Sequence, residues 1–141
     1  SDEAVYKETA DLQCLMKELK VRGIRIGMAT ADTPVSAESC LKKLHIMQYF
    51  DYIGADDGKR KPKPEKDMFQ EFAEEYQFLP SEIMIVGDTF NDMLFAKRCG
   101  GISVAVLSGV SSKKDFEDSF DYILRSVGEI PALLDKIEKK D

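Results

Sequence analysis

Two acidic residues, Asp88 and Asp92, lie four positions apart directly after the apolar segment Ile83–Val86. The segment predicts a buried strand, and a turn and a helix are expected to follow, so both carboxylates can face one crevice at the strand's end. Magnesium prefers carboxylates, waters and phosphate oxygens as ligands. A structural explanation is equally open here, in which Asp88 caps the turn and Asp92 complements the helix dipole.

A hydroxyl and a lysine precede this acidic pair in the chain. Thr30 ends another apolar segment, and Ala31 begins the turn after it. A hydroxyl beside backbone amides can bind an anion, although a turn residue is the simpler interpretation. Lys61 lies in a loop stiffened by Pro62 and Pro64, which restrict where its ammonium can reach. Taken alone, Lys61 is explained as part of a solvated basic loop.

Short apolar segments alternate with helical patterns along the chain. The expected strands are 24–30, 52–55, 83–86, 102–107 and 122–124, and the expected helices are 9–21, one capped by Ser36, one around 69–76, 91–99 and 130–137. Strands at this spacing need helical crossovers, which join parallel strands. The pattern therefore predicts an α/β fold with a doubly wound parallel sheet and helices on both faces.

Length and composition limit the class of protein. A chain of 141 residues with 43% hydrophobic residues can bury one core, so we expect a single domain over 1–141. The net charge of −6 argues against a nucleic-acid partner, and no apolar stretch is long enough to cross a membrane. Three widely spaced cysteines, Cys14, Cys40 and Cys99, are expected to be free thiols in the cytoplasm.

The Thr30 hydroxyl, Lys61 and the acidic pair follow one another in this order along the chain. Each lies at or just past the end of a separate strand. In these residues the sequence resembles the haloacid dehalogenase superfamily, especially phosphoglycolate phosphatase and β-phosphoglucomutase. The family's second motif matches Thr30 in IRIGMATAD, its third matches Lys61 in KPKPEKDMF, and its fourth matches Asp88 and Asp92 in VGDTFNDMLFAKRCGG. The resemblance covers nearly the whole chain and implies a Rossmann-like core.

The resemblance implies a magnesium-dependent phosphatase that acts on a small phosphorylated metabolite. In the family an Asp attacks phosphorus, and a second Asp two residues later handles the leaving-group proton. By analogy, Thr30 and Ala31 would bind the phosphate and Lys61 would neutralise the transferring group. Asp88 and Asp92 would hold Mg²⁺ directly or through water. Lys63 is the weaker alternative to Lys61.

The family's first motif, a strand running into D-x-D-x-T, is not found in the sequence. Ser1–Glu8 hold neither the strand nor the acidic pair, and the cap that usually follows the motif is missing too. The nucleophile is thus expected to lie outside this chain and the sheet to be incomplete at its N-terminal strand. We expect a fragment of a longer enzyme that is inactive alone, and whose sheet is filled by the missing N-terminal segment or a second chain.

Two other functions fit parts of the pattern. A non-catalytic binding or regulatory domain would retain the crevice and lack the nucleophile. A phospho-accepting receiver domain shares the alternating elements and the magnesium, but it needs its acidic pair after the first strand, whereas Asp88 and Asp92 follow the third.

Overall fold

The computed structural model of the chain describes residues 2–107 and 111–139, with side chains from residue 11 onward. In chain order the helices and strands are α1 (Asp2–Val21), β1 (Gly27–Ala29), α2 (Pro34–Lys43), β2 (Tyr52–Gly54), α3 (Asp67–Tyr76), β3 (Met84–Gly87), α4 (Phe90–Cys99), β4 (Ile102–Val106), β5 (Tyr122–Leu124) and α5 (Ile130–Glu138). Contacts divide the chain into two compact units, Ser1–Asp57 with Pro131–Asp141, and Gly58–Ile130. Every strand pair in the described residues is parallel, which confirms the predicted α/β class.

In the first unit β1 pairs with β2, and Gly27 lies opposite Tyr52. Strand β1 is shorter than the predicted 24–30 because Asp51 binds the residues that lead into it. The Ile26 N–H donates to Asp51 Oδ2 at 2.8 Å, and the Asp51 N–H donates to the Ile26 carbonyl at 2.7 Å. The predicted segment is therefore extended, but only its second half forms the ladder.

The start of α2 differs from the sequence prediction. Ser36 is not the cap: its own N–H donates to Thr33 Oγ1 at 3.2 Å, and Thr33 is the N-cap residue. Pro34 occupies the first helical position, where its missing N–H costs nothing and its fixed φ suits the helix. The prediction of Ser36 was wrong because it overlooked that a threonine followed by proline is the stronger start signal.

Asp51 connects three segments of the first unit. Besides the Ile26 amide, its carboxylate accepts a hydrogen bond from Lys20 at the end of α1 and another from Arg25, at 3.3 Å. Burial alone would raise the pKa of Asp51, but the hydrogen bonds from Lys20 and Ile26 outweigh it, and the pKa is lowered. The folded protein therefore favours the ionised carboxylate.

The second unit is built on a three-stranded parallel sheet in the order β3-β4-β5. Strand β4 is its centre, and Val104 and Ala105 have no exposed surface. Helix α4 contributes Met93 and Phe95 to the core, and Phe116 from the turn after β4 is fully buried with them. In the described residues β3 has a strand neighbour on one side only, and the same is true of β1.

Strand β3, its turn and α4 form one locally determined unit. Thr89 is the N-cap of α4: its Oγ1 accepts the Asp92 N–H, and Asp92 in return accepts the Thr89 N–H. Gly87 ends β3 and lies under the Asp92 side chain, because a Cβ built at Gly87 would lie 2.5 Å from Asp92 Cγ. At the other end of the helix Gly100 forms the C-cap at a φ of 81°, which glycine adopts without strain.

The cysteines and the length of the apolar helices bear on two of the predictions made from composition. The three cysteines are free, as expected, and burial raises the pKa of the Cys99 thiol to about 11. Among the described residues no helix is both long enough and apolar enough to cross a membrane.

Replacing Asp51 by Asn tests its connecting role. Because its pKa is lower in the folded state, Asp51 stabilises the fold above its ordinary pKa of about 3.9, and the contribution disappears as the pH falls through the folded value. We expect Asp51→Asn to lower the free energy of unfolding by about 1–2 kcal/mol at pH 7, with the difference shrinking toward pH 2. Urea denaturation across this pH range measures it.

The matched control for this test is Asp135→Asn. Asp135 pairs with Arg22 at 2.8 Å, but more than half of its side chain is exposed, so a clearly smaller effect is expected. An equal loss of unfolding free energy in both variants would contradict the connecting role of Asp51. A loss in Asp51→Asn that does not depend on pH would contradict it too.

Gly87→Ala tests the close approach of Asp92. The added methyl group overlaps the Asp92 side chain, so the carboxylate must move and the cap of α4 must loosen. We expect destabilisation of about 1–3 kcal/mol in urea denaturation. Gly128→Ala is the control, since its Cβ would meet only Ser126 Oγ, at 3.5 Å, and a change within about 0.5 kcal/mol is expected there. Similar stability of the two variants would show that Gly87 has room for a side chain.

Candidate functional site

The carboxylate of Asp92 is the best-connected group at the carboxyl end of β3. Its Oδ1 accepts a hydrogen bond from Lys63 Nζ at 2.8 Å. Its Oδ2 accepts one from the Thr89 hydroxyl at 2.9 Å and one from the Thr89 N–H at 3.3 Å. The side chains of Lys63 and Asp92 are only 20% and 13% exposed. An ion pair so shielded from water is stronger and more fixed in geometry than a surface pair.

The loop that carries Lys63 is held at several points. Arg60 Nε donates to both carboxylate oxygens of Glu71 on α3, each at 2.8 Å. The Lys61 N–H donates to Asp67 Oδ2 at 2.9 Å, and Asn91 Nδ2 donates to the Lys63 carbonyl at 3.4 Å. These contacts hold the backbone of the loop, and the hydrogen bond to Asp92 holds the Lys63 ammonium. Such preorganisation lowers the entropic cost of binding.

The lysine that contacts Asp92 is thus Lys63. The neutralising role that the resemblance implies for Lys61 stays a prediction. The Lys61 side chain is exposed, and its backbone N–H is turned toward the start of α3. Two lysines separated by one proline cannot be distinguished by residue type. The available signal was Asp67, since a carboxylate in the first turn of a helix tends to bind nearby backbone amides.

Asp88 follows Gly87, the last residue of β3, and its side chain is exposed. The backbone carbonyl of Asp88 accepts a hydrogen bond from the Ser111 hydroxyl at 3.1 Å. Sequence reasoning missed Ser111, because it lies 23 positions further along the chain and serine carries no spacing signal. Unlike the carboxylate of Asp92, that of Asp88 is open to solvent at the end of the strand.

Thr30 and Ala31 belong to the first unit, at the carboxyl end of β1. The Thr30 N–H donates to the Gly54 carbonyl at 2.9 Å, which continues the ladder by one bond. Thr30 Oγ1 accepts the Asp32 N–H at 3.1 Å. A hydroxyl that accepts a hydrogen bond still has its own proton to donate. Thr30 therefore lies in an ordered turn and can offer a donor to an anion.

The carboxylates of the second unit fit in part the magnesium that the sequence pattern implies. In the part of the chain with described side chains, no three His, Cys, Asp or Glu residues are grouped as a metal cage. Both oxygens of Asp92 are already engaged, whereas Asp88 is open. Magnesium retains several waters and is often held by one or two carboxylates, so Asp88 fits as a ligand and Asp92 fits through water.

Comparisons with known proteins show which family the chain is similar to. The family model of haloacid dehalogenase-like hydrolases matches residues 3–100. Phosphoglycolate phosphatase of Escherichia coli (strain K12) is 32% identical over 118 residues, which are 82% of this chain and 46% of that protein. Pyrophosphatase PpaX of Bacillus mycoides is 28% identical over 125 residues, which are 86% of this chain and 57% of that protein.

A solved structure shows the same fold. β-Phosphoglucomutase from Clostridium difficile matches with a TM-score of 0.76 at 18% identity, over 92% of this chain and 56% of that one. The chain spans about half the length of the relatives that it matches. The family model covers more than two thirds of the 141 residues and includes the β3 turn with Asp88 and Asp92, and on this evidence the chain belongs to the haloacid dehalogenase-like hydrolases.

Proposed function

We propose that this chain is the phosphate-handling part of a magnesium-dependent phosphatase that hydrolyses a small phosphorylated metabolite. The observation that carries the proposal is the shielded ion pair of Lys63 with Asp92, together with the exposed Asp88 four positions before Asp92 in the same turn. A fixed cation next to a free hard ligand suits a phosphoryl group together with a divalent metal. The names of the relatives, phosphoglycolate phosphatase and pyrophosphatase, support this class of substrate.

Within this site we assign the neutralising role to Lys63 instead of Lys61. The Lys63 ammonium has three protons, and Asp92 Oδ1 receives one of them. The other protons can be donated to the oxygens of a phosphoryl group. Asp92 then holds the ammonium in place through this hydrogen bond.

The remaining groups have separate roles. Asp88 is proposed to hold Mg²⁺, and Asp92 to contact the ion through water. The metal would offset the charge of the phosphate and polarise its oxygens. In the first unit, the Thr30 hydroxyl and the Ala31 backbone amide are proposed to donate to a phosphoryl oxygen.

The attacking group is proposed to come from outside these 141 residues. Enzymes that resemble this chain use an Asp in a D-x-D-x-T strand, and that motif is not found in the sequence. The relatives are also about twice as long as the matched region. Without the nucleophile, the chain can bind and polarise a phosphate ester but cannot form the covalent intermediate.

The proposal predicts that the purified 141-residue chain does not hydrolyse p-nitrophenyl phosphate above the buffer rate, with or without Mg²⁺. A longer natural form with an upstream D-x-D-x-T segment is expected to show magnesium-dependent turnover that Asp88→Asn abolishes. Release of p-nitrophenol is followed by its absorbance. Magnesium-dependent release by the 141-residue chain itself, lost in Asp88→Asn, would contradict the assignment of the nucleophile.

The choice of lysine is tested by Lys63→Met, with Lys61→Met as its matched control. We expect Lys63→Met to weaken the binding of inorganic phosphate at least about tenfold, which corresponds to the loss of one charge-assisted hydrogen bond of about 1.4 kcal/mol. Lys61→Met is expected to change the dissociation constant for phosphate less than about twofold, since an exposed charge is screened. Amide chemical shifts in a phosphate titration give both dissociation constants.

The reverse order, with Lys61→Met the more damaging substitution, would return the role to Lys61. A far-UV spectrum of each variant shows that the fold is intact. Equal small effects would mean that neither lysine contacts the anion, and the proposed site would be wrong.

A further inference from the structure

The peptide group between Asp88 and Thr89 is bound on both of its sides. Its carbonyl oxygen, on Asp88, accepts a hydrogen bond from Ser111 Oγ at 3.1 Å. Its N–H, on Thr89, donates to Asp92 Oδ2 at 3.3 Å. Since a peptide group is planar, two such contacts fix its rotation. They thereby fix the backbone on either side, including that of Asp88.

The segment that directly follows Ser111 is anchored in the core. Ser111 directly precedes Ser112, whose N–H donates to Asp115 Oδ2 at 2.7 Å and caps a short 3₁₀ turn, Lys113–Phe116. Phe116 at the end of this turn is fully buried, and it packs with Met93 of α4 and Ala105 of β4. The core therefore determines where Ser111 lies.

We infer that Ser111 is a positioning residue for Asp88, which it orients through the backbone carbonyl of Asp88 without touching the ligand. The Asp88 side chain is exposed, so packing does little to choose its rotamer. The rotamers available to a side chain depend on its own backbone angles. Holding the Asp88–Thr89 peptide thus restricts where the carboxylate points. This inference rests on the proposed role of Asp88 as a metal ligand.

The test compares Ser111→Ala with Ser111→Thr, which retains a hydroxyl, and with Ser112→Ala, its neighbour in the chain. In the metal-free 141-residue chain, NMR relaxation reports the order parameter of the Thr89 N–H, and three-bond couplings report χ1 of Asp88. We expect Ser111→Ala to lower the order parameter and to spread χ1 over more than one rotamer. Ser111→Thr and Ser112→Ala are expected to resemble the unmodified chain.

The consequence for metal binding is measured with Mn²⁺ as the probe, by electron paramagnetic resonance of the free ion. We expect Ser111→Ala to raise the dissociation constant about three- to tenfold, whereas Ser111→Thr and Ser112→Ala change it less than about twofold. Thermal unfolding midpoints of the two alanine variants are expected to be similar. A residue that is only structural would lower the midpoint and leave the Asp88 rotamer unchanged.

The outcomes separate this inference from the proposed function. If Ser111→Ala leaves the Thr89 order parameter and the Asp88 rotamer unchanged, Ser111 is not a positioning residue. This conclusion holds for any result of the Mn²⁺ titration. If Asp88→Asn leaves Mn²⁺ binding unchanged, or if the unmodified chain does not bind Mn²⁺, the proposed role of Asp88 is wrong. In that case the NMR result still decides whether Ser111 orients Asp88.

Discussion

The carboxylate of Asp92 is the group on which the site in the second unit depends. One oxygen binds the Lys63 ammonium, and the other caps the helix that begins at Thr89. A single side chain thus joins the loop before α3 to the turn after β3. The arrangement requires a glycine at position 87, because any Cβ there would overlap the carboxylate. The carboxylate that caps the start of α4 is therefore the same group that binds Lys63 in the proposed site.

Much of the fold was predictable because its signals are local. Apolar β-branched segments predicted the five strands, and glycines predicted the ends of α1 and α4. Helical crossovers between strands required parallel pairing. For β1 the prediction of the strand's length failed because a contact from elsewhere in the chain decides the structure. Strand β1 is short because Asp51 binds the residues before it, and these lie 25 positions apart. Periodicity contains no information about such a contact.

In the candidate site, too, local patterns could be predicted and contacts between distant residues could not. Asp88 and Asp92 were found because their spacing follows from a strand, a turn and a helix. The lysine that pairs with Asp92 was harder to identify, since Lys61 and Lys63 share residue type and loop. Only the Asp67 contact with the Lys61 backbone separates them. Ser111 could not be found at all, because the role that we infer for it depends on a tertiary hydrogen bond. The sequence contains no signal for a residue that acts through the backbone of another residue.

The central claim is that Lys63, held by Asp92, is the cation that meets a phosphate group. A crystal of the 141-residue chain soaked with tungstate, an analogue of phosphate with a strong anomalous signal, tests it most directly. The account predicts tungsten density with an oxygen within hydrogen-bond distance of Lys63 Nζ while the ion pair with Asp92 persists. Tungstate bound at Lys61, with Lys63 and Asp92 contacting only each other, would contradict it.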